Sequence, residues 1–170
     1  MPEAPRARLR MVARLADVPA PPGPVASRPV REDDGTALGL LAYAAYRGSV
    51  DDNGEHEAWH VADLTAALVG EYGRFLEPVS RAVPDDDRLA AAAIFTWWDE
   101  MPLLAFCLTD PEHRGRGLAT RLITHAAREL AADGYDAMHL AVTVGNPARA
   151  LYERLGFREQ PVPSAYRTQS

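Results

Sequence analysis

The segment that most constrains the fold is a turn of glycines and arginines between an apolar run and an amphipathic stretch. The turn reads Arg114-Gly115-Arg116-Gly117. Before it, residues 102–109 (PLLAFCLT) form the short, nearly continuous apolar run that is typical of a buried strand. After it, apolar residues recur at the spacing of a helix packed on a sheet, namely Leu118, Leu122, Ala126 and Leu130. The sequence therefore predicts a strand, a tight turn and a helix that ends near Gly134.

Such a turn is a candidate anion-binding site. The first amide N–H groups of a helix have no partner within the helix, and the helix dipole adds positive charge there. Glycines let the backbone approach a ligand closely, so the turn suits a phosphate or pyrophosphate. The alternative interpretation is an ordinary basic turn exposed to solvent, and the turn alone does not decide between the two.

A second strand, turn and helix follow this unit. Residues 138–143 alternate in hydropathy like a strand, with Met138, Leu140 and Val142 on one face. Asn146-Pro147 is a favoured pair for the start of a helix. The short helix that this pair opens is predicted to end before Gly156-Phe157.

Together these motifs resemble the acetyl-CoA-binding half of the GNAT superfamily of N-acetyltransferases. The family signature Gln/Arg-x-x-Gly-x-Gly/Ala is matched by Arg114-Gly115-Arg116-Gly117-Leu118-Ala119. A later signature, Asn followed by Ala-x-x-Leu-Tyr and Gly-Phe, is matched by Asn146-Pro147-Ala148-Arg149-Ala150-Leu151-Tyr152 and Gly156-Phe157. The resemblance covers residues 102–157, and the preceding residues agree in general pattern only.

The resemblance implies an α/β chain with the GNAT fold, in which about four helices flank a mixed central sheet of about six to seven strands. The sheet splays between its fourth and fifth strands. Strands are predicted over residues 25–31, 78–83, 88–98, 102–109 and 138–143, with Pro29 indicating an edge position for the first of them. Helices are predicted over about 36–47 and 59–72.

The expected domain organisation has two parts. Residues 1–24 form an N-terminal edge segment, with a strand near residues 8–15, and a proline-rich linker. Residues 25–170 form a single acetyltransferase domain, with the acceptor-side half at about 25–101 and the acetyl-CoA-binding half at about 102–157. The family usually has C-terminal strands after Gly-Phe, so we expect the end of the sheet to be short or completed by another subunit.

Composition limits the remaining classes of function. A chain of 170 residues is long enough for one domain with a sizeable core. Its formal net charge of −6 argues against a general nucleic-acid surface, and no apolar run approaches membrane-spanning length. The single cysteine, Cys107, cannot form an intramolecular disulfide, which favours a reducing cytoplasm. We expect no nucleic-acid or membrane partner, no metal, and a homodimer as one compatible state.

Residue by residue, the resemblance implies a donor site for acetyl-CoA in three parts. The pantetheine arm inserts between the splayed strands, against backbone groups of Cys107, Leu108 and Thr109. The pyrophosphate lies on main-chain N–H groups of the turn and the first helical residues, namely Arg114, Gly115, Arg116, Gly117, Leu118, Ala119 and Thr120. Asn146 is a helix cap, a direct contact to the cofactor, or both. For Cys107 we favour a buried, small apolar side chain over a nucleophile.

Tyr152 is the predicted catalytic residue. In the family, the matching tyrosine protonates the CoA thiolate that leaves after direct attack by an amine in a ternary complex. A phenol with a pKa of about 10 is protonated at neutral pH and can do this. The alternative is a tyrosine packed against the sheet. Some protein N-terminal acetyltransferases of the family carry a glutamate base where this chain has Ala141, so the base is open among Glu71, Asp51, Asp52, Glu55, Glu100 and His60.

The loop over residues 49–57 is acidic and follows the first helix, a region that shapes the acceptor side in the family. Carboxylates there attract a cationic amine. The substrate-side candidates are Tyr46, Asp51, Asp52, Glu55 and Glu71, and the aromatic residues Tyr43, Tyr46, Trp59 and Tyr72 line the pocket or pack in the core. The expected function is acetyl transfer from acetyl-CoA to a small-molecule or peptidic primary amine. The alternative is a non-catalytic acyl-CoA-binding or regulatory module with the same fold.

Overall fold

The computed structural model describes residues 6–161. Its strands are β1 (Arg8–Arg14), β2 (Arg28–Pro29), β3 (Arg74–Phe75), β4 (Arg81–Asp85), β5 (Arg88–Trp98), β6 (Met101–Thr109), β7 (Ala137–Thr143) and β8 (Arg158–Glu159). Its α-helices are α1 (Gly35–Tyr46), α2 (Glu57–Leu68), α3 (Leu118–Ala132) and α4 (Ala148–Arg154).

The described strands form one mixed sheet of eight, in the order β2-β4-β5-β6-β7-β1-β8, with β3 paired to β5 outside this path. Neighbouring strands are antiparallel except for β6 and β7, which are parallel. The predicted α/β architecture with four helices is confirmed. None of the helices within residues 6–161 has the length and apolar character needed to cross a membrane.

Two hydrophobic clusters cover the two faces of the sheet, and β5 shows why. Residues Leu89 to Thr96 of β5 are all buried, as expected for a strand covered on both faces. Ala91, Ala93 and Phe95 belong to the cluster beneath α3 and α4. Ala92 and Ile94, which point the other way, belong to the cluster beneath α1 and α2. The helices α1 and α2 pack on each other, and α1 rests on β5 and β6; within residues 6–161, neither helix makes a comparable contact with β7 or β1.

The N-terminal strand lies inside the sheet, not at the edge position expected for it. β1 runs antiparallel to β7 from Arg8↔Thr143 to Arg14↔Ala137, and β8 pairs with its other side. Met11 and Ala13 are fully buried in the α3 cluster. The chain itself therefore supplies the strand beside β7. The weak alternation of the sequence predicted the strand but carried no information on its neighbours.

Other elements differ from expectation mainly in length. β2 is two residues long and lies at the end of the sheet, where Pro29 costs no ladder hydrogen bond. α2 ends at Leu68, four residues before the predicted end, and the turn after it leads to the unpredicted strand β3. α3 ends next to Gly134, which has a left-handed φ of 91°.

Candidate active site

A cleft opens between β6 and β7. The two strands share one paired position, Leu103↔His139, and then diverge. The pairing of β6 with β5 shifts register between Ile94 and Phe95, so that Ala105 has no partner and β6 bulges there. These are the fourth and fifth strands of the predicted series, and the predicted splay lies between them. The cleft leaves strand-edge N–H and C=O groups of β6 without a neighbouring strand.

The glycine turn has the conformation that the sequence required. Gly115 and Gly117 have left-handed φ values of 76° and 72°, which side chains with a Cβ rarely adopt. Gly117 is the N-cap of α3 and no side chain caps this end of the helix. The backbone bonds of α3 begin with Arg121 N–H donating to the Gly117 carbonyl at 3.1 Å. The preceding N–H groups of the first turn are thus available to an anion.

Three arginine side chains brace this turn from outside. Arg114 donates to the Ala45 carbonyl at the end of α1 (2.9 Å), and Arg116 donates to the Glu112 carbonyl (3.2 Å). Arg121, which the sequence analysis did not single out, donates to the Arg116 carbonyl at 2.7 Å. The sequence could have indicated this residue, because Arg121 lies four residues after the N-cap glycine, one turn into α3. The guanidinium groups hold the turn in shape and add positive charge around it.

Tyr152 lies at the cleft, where its hydroxyl and the Cys107 thiol influence each other's pKa. The tyrosine is on α4 and only 9 % exposed, with its ring edge-on to Phe157 at 5.9 Å. Burial, followed by Cys107 and Tyr46, raises the pKa of Tyr152 well above its ordinary value. Burial also raises the pKa of the Cys107 thiol to about 11, against the opposite effect of Tyr152. Both groups are therefore protonated at neutral pH.

A cavity of about 1060 Å³ lies on the α1 and α2 face of the sheet, over β6 and β7. Its floor includes residues 103–106 of β6 together with Ala141 and Thr143 of β7. The loop between α1 and α2 forms one wall, through residues 48–54. Aromatic and titratable side chains face this space, namely Tyr46, Trp59, His60, Asp63 and Tyr72. The cavity thus meets the cleft at the diverging strands.

Asp51 connects the loop wall of the cavity to the end of β7 and to Asn146, which precedes α4. One of its carboxylate oxygens accepts from Thr143 Oγ1 (2.6 Å) and the other from Asn146 Nδ2 (2.8 Å). Asn146 in turn accepts from the Ala148 N–H at 2.8 Å, the capping role predicted for it. The loop is therefore fixed against the end of β7 and the start of α4, the helix that carries Tyr152.

His60 is the buried titratable group of this cavity. Its side chain is 3 % exposed, and Nδ1 is buried without a hydrogen-bond partner among the described residues. The rings of Tyr43, Tyr46 and Trp59 surround the imidazole, with centroids 5.8, 6.1 and 5.1 Å away. Buried polar atoms are normally paired, so an orphaned nitrogen beside a cavity needs an explanation.

The structure brings together some of the predicted acceptor-side residues. Tyr46, Asp51 and Asp52 line the cavity, whereas Glu55 and Glu71 do not. Asp52 accepts from the Gly48 and Gly54 N–H groups, which lower the pKa of its carboxyl, so it shapes the loop. The aromatic residues proposed as lining do line the cavity except Tyr43. The lining residues that the sequence analysis missed are chiefly Arg6, Arg8, Asp63 and Thr143.

Comparisons with known proteins agree with this geometry. The sequence model of the Acetyltransferase (GNAT) family matches residues 20–157. The ribosomal protein bS18-alanine N-acetyltransferase of Salmonella typhimurium is 38 % identical over 82 residues, which are 48 % of this chain and 55 % of that protein. The chain thus spans about half the length of this curated relative.

Solved structures share the fold. A GNAT-family acetyltransferase from Novosphingobium aromaticivorans has a TM-score of 0.60 and 30 % identity, covering 90 % of this chain and 59 % of that one. The ribosomal-protein-S18-alanine N-acetyltransferase of Escherichia coli has a TM-score of 0.61 and 26 % identity, covering 79 % of this chain and 78 % of that one. The family match covers most of the chain and both predicted signatures, and the chain belongs to the GNAT acetyltransferase family.

Proposed function

We propose that this chain transfers an acetyl group from acetyl-CoA to a primary amine by direct attack in a ternary complex. The observation that carries the proposal is the divergence of β6 from β7, with Tyr152 at the resulting cleft and the acceptor-sized cavity at its mouth. Two of the relatives are named for acetyl transfer to an alanine of a ribosomal protein, which is transfer to an amine.

The residues present fit acetyl-CoA at two places. The N-terminus of α3 has no side-chain cap and its turn has left-handed glycines, so its N–H groups suit the pyrophosphate. At Gly115 an added Cβ would meet nothing within 4 Å, so space remains beside the turn. The edge of β6 at Cys107, Leu108 and Thr109 has backbone groups for the amide-rich pantetheine. When bound, acetyl-CoA supplies the acetyl thioester that the amine attacks.

Tyr152 acts as the general acid. The raised pKa keeps the phenol protonated across the working pH range, so the hydroxyl can donate a hydrogen bond to the departing thiolate; the same shift makes it a weaker acid than a free tyrosine, and this hydrogen bond precedes transfer of the proton. The hydroxyl lies close enough to the Cys107 sulfur for the two groups to shift each other's pKa, and a thiolate in the same cleft is a stronger hydrogen-bond acceptor than a thiol. Cys107 stays a thiol and takes no covalent part, since a thiol and not a thiolate is present at neutral pH.

His60 is the residue we assign as general base, acting directly or through one water. Of the open candidates, Glu55, Glu71 and Glu100 do not line the cavity, and Asp51 and Asp52 are engaged in two hydrogen bonds each. His60 lines the cavity and its side chain forms no hydrogen bond with the described residues, so its imidazole can accept a proton at the cavity through Nε2, while Nδ1 is shielded from solvent. It removes a proton from the acceptor ammonium, whose ordinary pKa is about 10.

The first experiment is free-thiol release from acetyl-CoA across a panel of amines, aminoglycosides and short peptides, including peptides that begin with alanine. We expect acetylation of a cationic amine acceptor. A preference for hydroxyl acceptors would refute the proposed acceptor chemistry. Tight binding of acetyl-CoA with no turnover on any acceptor would favour the binding module instead.

The base assignment has its own test, the pH profile of His60→Gln. We expect kcat/KM to fall by about 10²-fold near neutral pH and to approach the wild-type value above about pH 10, where the amine is already neutral. Asp52→Asn, another lining residue of the cavity, is the matched control. A loss that is the same at every pH would contradict a role in deprotonation.

A further inference from the structure

The N-terminal strand places a row of arginines on the acceptor face of the sheet. In the antiparallel pairing, Arg8 lies opposite Thr143 and Arg10 lies opposite Ala141, so these arginines share the face that carries the cavity. Their neighbours Met11 and Ala13 point into the core on the other face. Arg6 and Arg8 line the cavity, and Arg6 donates to the Val50 carbonyl of the opposite wall at 2.6 Å.

Most N–H donors of the Arg8 guanidinium form no hydrogen bond within residues 6–161. Its Nη2 donates to the Ala141 carbonyl at 2.9 Å, which fixes the guanidinium beside β7 at the floor of the cavity. Within residues 6–161 it forms no ion pair, whereas Arg10 on the same strand pairs with Asp99 at 2.6 Å. An arginine has five N–H donors in a planar fork that suits a carboxylate. Arg8 is thus a fixed cation whose fork is largely unused.

The neighbouring carboxylate, that of Asp51, forms no ion pair with Arg8 within the described residues. Asp51 meets the same Thr143 that lies opposite Arg8, but its two oxygens accept from Thr143 and Asn146. The charge of Arg8 reaches the cavity, where it opposes the rise in the pKa of Tyr46 that burial and Asp51 cause. Asp63, farther along α2, accepts from the Tyr72 hydroxyl. The cavity thus has carboxylates on its loop and on α2, at Asp51 and Asp63, and arginines at its β1 side, at Arg6 and Arg8.

We propose that Arg8 forms a carboxylate-binding subsite, so that the acceptor is an amine that also carries a carboxylate, as an amino acid or short peptide does. This inference rests on the proposed function, because it assigns the second charged group of the same acceptor. The ammonium group lies toward the two aspartates and His60, and the carboxylate lies on the Arg8 fork. Arg8 is a specificity residue and takes no part in the proton transfers.

The test uses matched acceptor pairs. Amino acids and dipeptides with a free α-amine are each supplied as the free carboxylate and as the carboxamide. Their kcat/KM values and their binding, by calorimetry, are measured for wild type and Arg8→Gln. We expect Arg8→Gln to lower the acid-to-amide ratio about tenfold, the effect of losing one charge-assisted interaction. The comparison of two enzymes cancels the difference in amine pKa between acid and amide.

Three controls make the result specific. Arg8→Lys keeps the charge and should restore part of the ratio, and Arg10→Gln, on the same strand but outside the cavity, should leave it unchanged. An acid-to-amide ratio that Arg8→Gln does not alter would overturn the subsite. So would a rise in the KM for acetyl-CoA with no change for the acceptor, which would make Arg8 a donor contact. If the wild type binds the free acids more tightly than the amides but acetylates neither, the proposed function is refuted and the subsite is retained.

Discussion

Gly39 of α1 sets the distance between the two helices that line the cavity. A Cβ at this position would lie 2.3 Å from Val61 Cα, 2.5 Å from Val61 N and 2.7 Å from Val61 Cγ2. The two closest atoms belong to the backbone of α2 and cannot rotate away. Ordinary contacts begin near 3.4 Å, so Gly39→Ala requires α2 to move by 3.4 − 2.3, or about 1.1 Å.

Two opposing effects decide the outcome. Replacing glycine by alanine inside a helix stabilises it by about 1 kcal/mol. Overpacking costs about 1 to 3 kcal/mol, and a backbone clash belongs at the upper end. We therefore expect Gly39→Ala to lower the free energy of unfolding by about 2 kcal/mol and Tm by about 4 to 8 °C for a chain of this size. The KM for the acceptor should also rise, because Tyr46 and His60 lie on different helices of this pair.

Urea and thermal unfolding followed by circular dichroism measure both quantities. Gly23→Ala is the control, because a Cβ at that position would meet nothing within 4 Å. Val61→Ala should not rescue Gly39→Ala, because the clash is with the backbone. An unchanged or raised stability of Gly39→Ala would refute the reasoning and show that helix propensity alone governs the site.

Three further predictions follow from single groups. Met11→Ala should lower the free energy of unfolding by about 2 to 5 kcal/mol, because the fully buried side chain leaves a cavity in the core; a loss below about 1 kcal/mol in urea unfolding would mean that β1 is not integral to the sheet. Cys107, with its pKa raised from 9.0 to about 11, should have a roughly hundredfold lower thiolate fraction at pH 8 than a free cysteine and be alkylated by iodoacetamide at least that much more slowly; rapid alkylation would contradict this. Burial lowers the pKa of His139, so the unfolded chain binds the proton more readily and stability should fall as the pH drops below about 6.5. His139→Gln should flatten that slope in unfolding measurements at pH 5 to 7, and an unchanged slope would contradict the assignment.

The local pattern of the sequence was sufficient for the elements that build the donor side. The stripe of α3 and the glycine turn before it are visible because a 3.6-residue period and left-handed glycines are properties of neighbouring residues. The start of α4 at Ala148 follows in the same way from the preceding Asn146-Pro147, since Asn146 accepts from the Ala148 N–H. The splay between β6 and β7 came from the family resemblance and not from the residues themselves.

The acceptor side depends on contacts between distant residues, and the sequence does not display them. The bonds of Asp51 to Thr143 and Asn146 join residues 92 and 95 positions apart. Arg8 reaches the cavity because β1 lies beside β7. Apart from Arg6 and Arg8, the residues that line the cavity are Tyr46 and residues later in the chain. A strand's alternation fixes which side chains share a face but not which strand lies next to it. For this reason Arg8 could not be assigned to the site until the sheet order was known.

The most direct test of the central claim is a comparison of Tyr152→Phe with wild type in thiol release and in acetyl-CoA binding. We expect kcat to fall about 10²-fold or more while the Kd for acetyl-CoA is nearly unchanged, because only the proton for the leaving thiolate is lost. The high-pH side of the wild-type profile should show no loss of rate from this tyrosine below about pH 10, since burial raises its pKa. Wild-type turnover in Tyr152→Phe, with acetyl-CoA bound equally well, would contradict the account.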